Sequence, residues 1–116
     1  MDAAEHYAYL AAMVDGEGTI TLLRHRKYQR ATYQYRPRLI VSNTHRGMLE
    51  VLRHRHGGSV VENHRLASLK LALLWRVCGF AEIHRLLRAC RPYLLIKAQH
   101  ADLMLEFLMA RERARR

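Results

Sequence analysis

The segment YLAAMVDGEGTIT, residues 9–21, changes from a helical to a strand-like pattern within a few residues. Apolar and small residues recur at helical spacing, and two carboxylates, Asp15 and Glu17, then follow on either side of one glycine. From Thr19 onward the residues alternate as in a strand. A carboxylate near the carboxyl end of a helix is disfavoured by roughly 0.3–1 kcal/mol, because that end carries partial negative charge. The segment therefore predicts a helix that runs directly into a strand, with two acids at the junction that need compensating partners.

The charge of the chain is strongly positive and unevenly distributed. Its 116 residues include 20 Lys and Arg, 17 of them Arg, against 10 Asp and Glu, which gives a formal net charge of +10. No carboxylate occurs between Glu17 and Glu50, a stretch that holds seven Lys and Arg. Arginine suits bidentate contacts to phosphate and guanine, so a polyanion is the leading class of partner. The alternative is a basic protein whose charge serves only solubility.

Length and composition predict one globular domain over residues 1–116, with residues from about 110 to 116 as a solvated tail. No stretch approaches 18 apolar residues, so we expect no membrane span. The N-terminus does not read as a signal peptide. Cys78 and Cys90 lie in apolar surroundings without a C-x-x-C pairing, and we interpret both as buried free thiols. We therefore expect a cytoplasmic or organellar protein in a reducing compartment.

The rest of the chain predicts the order α-β-β-α-β-β-α-α. Because proline cannot donate a backbone hydrogen bond, Pro37 predicts that the second strand lies at a sheet edge or is kinked. The predicted ranges are a helix over 5–15, strands over 19–26 and 33–43, a helix over 46–55, strands over 59–62 and 67–77, a helix over 79–89, and a last helix from 96 or 98 to 113. The expected core positions of the last two helices are Ile83, Leu86, Leu87, Leu103, Phe107 and Leu108.

Residues 10–18, LAAMVDGEG, resemble the LAGLIDADG signature of homing endonucleases. Residues 92–99, PYLLIKAQ, resemble the P-Y/F-L-x-x-K segment that precedes the last core helix of that family. The element order also matches, so the resemblance covers nearly the whole chain. Two departures stand out: Ala12 replaces the usual glycine, which adds one methyl group at a close helix crossing, and Glu17 replaces the more familiar aspartate.

This resemblance implies an α+β fold, an αββαββα(α) core with a saddle-shaped antiparallel DNA-binding sheet. The chain has one motif, so the resemblance also implies a two-fold symmetric homodimer. Its activity would be that of a homing endonuclease in intron or intein mobility. Such an enzyme hydrolyses phosphodiester bonds in both strands of a long, partly palindromic double-stranded DNA target. The implied dimer interface is Tyr9, Ala12, Met13, Asp15 and Gly16.

The resemblance assigns the catalytic centre to Glu17, Lys97 and Asn43. Glu17 and the backbone carbonyl of Gly16 would bind Mg²⁺, or Mn²⁺ or Ca²⁺ in its place, which relieves the repulsion between paired carboxylates. Lys97 would offset charge in the transition state. Each residue also has a plain structural reading: Glu17 as part of a helix-ending turn, Lys97 as a solvated lysine, and Asn43 as a helix cap. Asp15 is interpreted as mainly structural.

Most of the proposed DNA contacts lie on the first two strands and the loop between them, and the others lie on the fourth strand or at the turn before it. Alternation places one set of side chains outward, and nearby basic residues together with one asparagine extend it. The outward set is Thr19, Thr21, Leu23, His25, Gln34, Arg36, Arg38, Ile40 and Ser42, and the extension is Arg24, Arg26, Lys27, Arg30, Asn63, Arg65 and Lys70.

Three other functions are compatible with parts of this pattern. A catalytically silent relative could act as an RNA maturase or a DNA-binding regulator, and a ribosomal or other structural RNA-binding protein would use the basic surface alone. A zinc site built from His54, His56 and His64 is a weak hypothesis, because no cysteine lies nearby. We expect no small-molecule cofactor and no membrane partner.

Overall fold

The computed structural model describes residues 1–26, 32–63 and 72–115, and it confirms the predicted order of helices and strands. A short 3-10 turn, Arg91–Tyr93, precedes the last helix. Among the described residues, no helix combines the length and apolarity that a membrane span requires. The elements are α1 (Ala3–Glu17), β1 (Gly18–Arg26), β2 (Tyr33–Asn43), α2 (Arg46–His56), β3 (Ser59–Asn63), β4 (Ala72–Val77), α3 (Phe80–Cys90) and α4 (Ala98–Ala114).

The strands of the described residues form one antiparallel sheet in the order β1-β2-β4-β3. Side chains alternate between the two faces of a sheet, and one face carries the buried residues Ile20, Leu39, Val41, Trp75 and Val77. The helices pack against this face: α1 and α3 contact β2, α2 contacts β4, and α4 contacts β1. No described side chain in the opposite register is buried, so the second face is open. The fold is therefore α+β with one layer of helices on one sheet, as predicted.

Helix α1 begins two residues before its predicted start. The Asp2 carboxylate accepts the Glu5 backbone N–H at 2.8 Å, and the Glu5 carboxylate accepts the Asp2 N–H at 3.2 Å. This capping box satisfies backbone donors that have no partner inside the helix. Leu10, Ala11 and Val14 are the buried residues of α1, and they anchor it to the core.

Helix α1 also ends later than predicted. Gly16 lies within its last turn and does not stop the helix, whereas Gly18 caps the helix and starts β1. The first residue of β1 lies very close to the backbone of the last turn of α1. A Cβ atom on Gly18 would lie 2.5 Å from the Val14 Cα, so the junction accepts only glycine.

Pro37 lies in β2, which pairs with β1 over Tyr33–Val41 and with β4 only over Leu39–Asn43. Proline has no N–H to donate, so it is found where a strand lacks a neighbour on one side. Pro37 lies just outside the part of β2 that β4 covers, and this position agrees with the predicted edge. The described part of β4 begins at Ala72, five residues after the predicted start, and residues 64–71 lie outside the described residues.

Two positions that were predicted to be buried differ from the structure. Leu103 is 65% exposed, because α4 buries Met104 and Leu108 and so turns Leu103 outward. Cys78 is exposed, whereas burial raises the pKa of the Cys90 thiol to about 12. Helix α4 continues through Ala114, one residue beyond its predicted end, and residues 112–115 of the predicted tail are exposed.

His56, at the end of α2, is buried beneath α1, where its ring contacts the rings of His6 and Tyr7. Burial, and then the charges of His6, Arg55 and Arg85, lower the pKa of His56 from 6.5 to about 4. As the pH falls through this range, the unfolded chain therefore binds a proton before the folded chain does. The contribution of His56 to the free energy of unfolding is thus fully present above about pH 6.5 and is lost as the pH falls toward 4.

We expect His56 to account for much of the decrease in the free energy of unfolding between pH 6.5 and pH 4. A shift of this size corresponds to about 3 kcal/mol between pH 6.5 and 4. Urea unfolding of His56→Asn should show a smaller loss over that range, whereas His54→Asn, an exposed change on the same helix, should follow the wild type. An unchanged loss in His56→Asn would contradict the assignment.

Candidate catalytic centre and nucleic-acid interface

Glu17 and Asn43 meet where the first helix and the second strand both end. Gly18, which follows Glu17, pairs with Val41 of β2, and this pairing brings the two ends together. The Asn43 side-chain amide donates a hydrogen bond from Nδ2 to Oε2 of Glu17 at 2.6 Å. Glu17 itself is exposed. The bond compensates a carboxylate at a helix carboxyl end, and it orients that carboxylate toward solvent.

Asn43 does not cap α2, although the sequence allowed this reading. His45 is the cap: its Nδ1 accepts the Met48 N–H at 3.0 Å. The Asn43 Oδ1 accepts the His45 N–H at 2.8 Å, which forms a turn directly before the helix. Asn43 therefore links the start of α2 to Glu17, and both ends of its side-chain amide are used.

Asp15 has partners in its own chain, on the segment before α4. Its Oδ2 accepts the Leu95 N–H at 2.8 Å, and its Oδ1 accepts the Lys97 N–H at 2.9 Å. Hydrogen bonds to a charged group are worth about 1.5–3 kcal/mol each. Two such bonds exceed the cost of roughly 0.3–1 kcal/mol for a carboxylate near the end of a helix.

Lys97 is half-buried directly before α4, and its ammonium reaches the same helix end. The Lys97 Nζ donates to the backbone carbonyl of Asp15 at 3.3 Å. The structure thus brings Glu17, Asn43 and Lys97, which the family resemblance placed in one centre, to the carboxyl end of α1. An exposed carboxylate can bind a metal ion, and an ammonium and an amide N–H can contact a phosphate.

The open face of the sheet carries the predicted outward residues. The register pairs Thr19 with Ile40, and the same alternation continues to the pair His25 and Gln34. Ser42 pairs with Leu74 of β4, and Asn63 of β3 shares their face. The members described are Thr19, Thr21, Leu23, His25, Gln34, Arg36, Arg38, Ile40, Ser42 and Asn63.

No protein-family model and no curated protein matches the chain, but solved structures of homing endonucleases do. The homing endonuclease I-CvuI, in complex with its target in the presence of 2 mM Ca, is 25% identical, with a TM-score of 0.80 over 91% of this chain and 67% of I-CvuI. I-SmaMI, a LAGLIDADG homing endonuclease bound to cleaved DNA, is 16% identical, with a TM-score of 0.76 over 94% of this chain and 37% of I-SmaMI. The chain has the LAGLIDADG homing endonuclease fold.

A third similar structure, the homing endonuclease I-TnaI, is 22% identical, with a TM-score of 0.77 over 93% of this chain and 74% of I-TnaI. I-CvuI has also been solved with DNA in the presence of 2 mM Mg. The chain therefore spans two thirds of the length of I-CvuI and 37% of the length of I-SmaMI.

The LAGLIDADG motif, residues 10–18, covers the second half of α1 and the first residue of β1. Its residues divide between two sides of the helix. Leu10, Ala11 and Val14 face the core, whereas Ala12 and Gly16 are exposed.

The predicted dimer face of α1, which we call the LAGLIDADG helix because it carries most of residues 10–18, is open in the single chain. Tyr9 is 38% exposed, Ala12 and Gly16 are exposed, and Met13 is half-buried. A Cβ atom on Gly16 would meet nothing within 4 Å. Asp15 differs from these residues, because both oxygens of its carboxylate bind backbone N–H groups of its own chain.

The donor atoms at the end of the LAGLIDADG helix suit a hard divalent cation. The Glu17 carboxylate and the carbonyl of Gly16 are oxygen ligands, which Mg²⁺ and Ca²⁺ prefer. They are too few to complete a coordination shell, and no three His, Cys, Asp or Glu of the described residues are grouped to hold a metal. Further ligands would have to come from DNA phosphates, water or a second copy of the chain.

The predicted extension of the DNA-contact set is only partly on the open face. Arg24 and Arg26 pair with Tyr35 and Tyr33, in the register of the helix-covered face. The Arg24 guanidinium lies over the Tyr33 ring, 4.3 Å from its centre. The residues Lys27, Arg30, Arg65 and Lys70 lie outside the described residues.

Arg76 belongs on the open face, although it is not among the predicted DNA contacts. It pairs with Ile40 on one side and with Ser59 on the other, and it is exposed. Its signal was present in the sequence, because the buried neighbours Trp75 and Val77 alternate with it. This arginine adds positive charge near the middle of the sheet.

A separate groove of about 590 Å³ lies between α3 and α4, in the helix layer. Phe80 forms part of it, with the Arg111 guanidinium 3.5 Å from the centre of its ring. Glu17, Asn43 and Lys97 do not line this groove. The candidate centre is instead exposed at the surface, an arrangement suited to a large substrate that lies along the protein.

Proposed function

We propose that this chain is a site-specific DNA endonuclease that works as a homodimer and depends on a divalent metal ion. The observation that carries the proposal is the exposed Glu17 at the end of the LAGLIDADG helix, hydrogen-bonded to Asn43 and close to the Lys97 segment. A nucleic-acid-binding protein without catalysis would need the basic sheet but would not need this cluster. Residues 1–116 would act as one endonuclease domain.

Each residue of the cluster has a distinct role in this proposal. Glu17 would bind the metal ion together with the Gly16 carbonyl, and Mg²⁺ is the expected ion because both ligands are oxygens. A bound ion of this kind activates water and stabilises the leaving oxygen. Asn43 holds the Glu17 carboxylate in place through its 2.6 Å bond. Lys97 supplies positive charge that offsets charge developing on the phosphate.

Symmetry completes the centre. The open face of Tyr9, Ala12, Met13 and Gly16 would pack on the same face of a second copy, as an isologous two-fold interface does. This packing would bring two copies of Glu17 together, and their carboxylates would hold the metal ions. The two centres would then cut both strands of one duplex.

The open face of the sheet would read the DNA from its major groove. Arg36, Arg38 and Arg76 can contact phosphates or guanine edges, and Gln34 and Ser42 can contact other base edges. A dimer doubles this surface and predicts a long, partly palindromic target. We further propose an intracellular reducing compartment, cytoplasmic or organellar, because Cys78 and Cys90 are both free thiols.

Selection from a randomised duplex library tests the proposal directly. Purified protein with Mg²⁺ should enrich cleaved sequences that converge on one long site with two-fold symmetry, and EDTA should abolish the cleavage. Sedimentation with the selected duplex should give two chains for each DNA. Binding to DNA or RNA without cleavage would favour a regulator or a maturase, and a single chain on an asymmetric site would contradict the homodimer.

A further inference from the structure

The segment that carries Lys97, residues 91–97 between α3 and α4, has little apolar anchoring. Leu94 is its one buried residue, whereas Leu95 is 85% exposed and Ile96 is 73% exposed. Packing alone therefore does not fix the position of Lys97 relative to α1. Something else must hold the backbone of this segment.

Hydrogen bonds to two carboxylates fix the segment from both sides. On the side of α1, the two oxygens of Asp15 accept the N–H groups of Leu95 and Lys97 at 2.8 and 2.9 Å. On the side of α4, Arg91 forms a bidentate pair with Asp102: its Nε donates to Oδ1 at 2.6 Å, and its Nη2 donates to Oδ2 at 3.0 Å. The contact from Asp15 is the one that ties the segment to the helix that carries Glu17.

We propose that Asp15 is a positioning residue, which sets the distance between Lys97 and Glu17 and so acts in cleavage through Lys97. The inference rests on the proposed endonuclease function. It explains why two carboxylates lie at the end of one helix: Glu17 faces the substrate, and Asp15 holds the residue that supplies the positive charge. The additional bond from Lys97 Nζ to the Asp15 carbonyl keeps the ammonium at the same helix end.

A direct metal-binding role for Asp15 fits the contacts less well. Both of its oxygens already accept backbone N–H groups, and binding an ion would compete with those bonds. Glu17 differs, because only its Oε2 accepts a hydrogen bond in the described chain. The two roles predict different behaviour when the metal concentration is varied.

Asp15→Asn is the main test, because it replaces one acceptor oxygen by an NH₂ group that faces a backbone N–H. Amide hydrogen exchange at Leu95 and Lys97 should accelerate about tenfold or more. Single-turnover cleavage should fall by about 10–100-fold, as misplacement of a catalytic group does. The Mg²⁺ concentration for half-maximal rate and the dissociation constant for DNA should stay within about twofold of wild type, because positioning does not change either.

A double-mutant cycle separates positioning from general loosening of the structure. If Asp15 acts through Lys97, Asp15→Asn combined with Lys97→Met should cleave no more slowly than Lys97→Met alone. Asp15→Glu keeps both oxygens and should recover part of the cleavage rate and of the amide protection. Glu106→Gln, an exposed change of the same charge on α4, is the matched control and should leave both readouts unchanged.

Several results would overturn the inference. Unchanged amide exchange at Leu95 and Lys97 would show that Asp15 does not hold the segment. Fully additive rate losses would show that it does not act through Lys97, and a large shift in the Mg²⁺ requirement would make it a metal ligand. Wild-type protein that cleaves no DNA would contradict the proposed function and, with it, a role of Asp15 in cleavage, whereas the exchange measurement would still report whether Asp15 holds the segment.

Discussion

Replacing Glu17 by glutamine should lower the rate of metal-dependent DNA cleavage by about 10³-fold or more. A neutral amide is a poor ligand for Mg²⁺, and a bound metal ion supplies several kcal/mol of stabilisation, with each 1.36 kcal/mol worth a factor of ten in rate. DNA affinity should stay near that of the wild type, because the open face of the sheet is untouched. Single-turnover cleavage and equilibrium binding of a labelled duplex measure the two quantities separately.

Glutamine is the appropriate replacement for structural reasons. Its side-chain oxygen can accept the bond that Asn43 now donates to Glu17, so the end of α1 should keep its conformation. Glu106→Gln makes the same chemical change on an exposed face of α4 and should leave cleavage intact. Cleavage at the wild-type rate by Glu17→Gln would rule out the proposed centre.

The affinity for DNA should depend steeply on salt. Each phosphate that a Lys or Arg neutralises releases counterions, so a protein with 6–10 phosphate contacts loses about 10³–10⁵ in affinity between 50 and 200 mM salt. The proposed dimer would present two copies of the open face, each with Arg36, Arg38 and Arg76. Fluorescence anisotropy of one duplex across a series of salt concentrations measures the slope.

Single arginine changes should locate this effect on the open face. Arg36→Gln should reduce the salt slope by about 1 for each protomer if its guanidinium contacts a phosphate. Arg88→Gln removes the same charge from the helix layer and should leave the slope unchanged. A flat salt dependence in the wild type, or equal effects of the two changes, would refute the assignment of the DNA surface to this face.

Much of the fold follows from local sequence patterns. Period-two alternation identified the outward side chains of β1 and β2, and the register places them on one face. The helix-to-strand junction follows from the change of pattern within residues 9–21, and Gly18 is the residue that ends the helix. The candidate centre depended on the family resemblance, because Glu17, Asn43 and Lys97 are far apart in the sequence and no local pattern joins them.

The features that the sequence did not reveal are long-range or ambiguous. The partners of Asp15 lie 80 and 82 residues away, and no periodicity connects them. Histidine is an uncommon helix cap, so the sequence favours Asn43 over His45 for that role. Apolar residues occur around most of α4 near Leu103, and packing against the sheet, more than periodicity, decides which of them are buried.

Because the junction at Gly18 is so close, α1 and β1 should move together as one rigid unit. β1 has nine residues, which corresponds to roughly 30 Å of extended chain. In a two-fold dimer, a rotation of about 1° between the paired α1 helices would therefore move the far end of β1 in each protomer by about half an ångström. Substitutions at the crossing of the helices could thus alter which outer base pairs are favoured without touching any residue that meets the DNA.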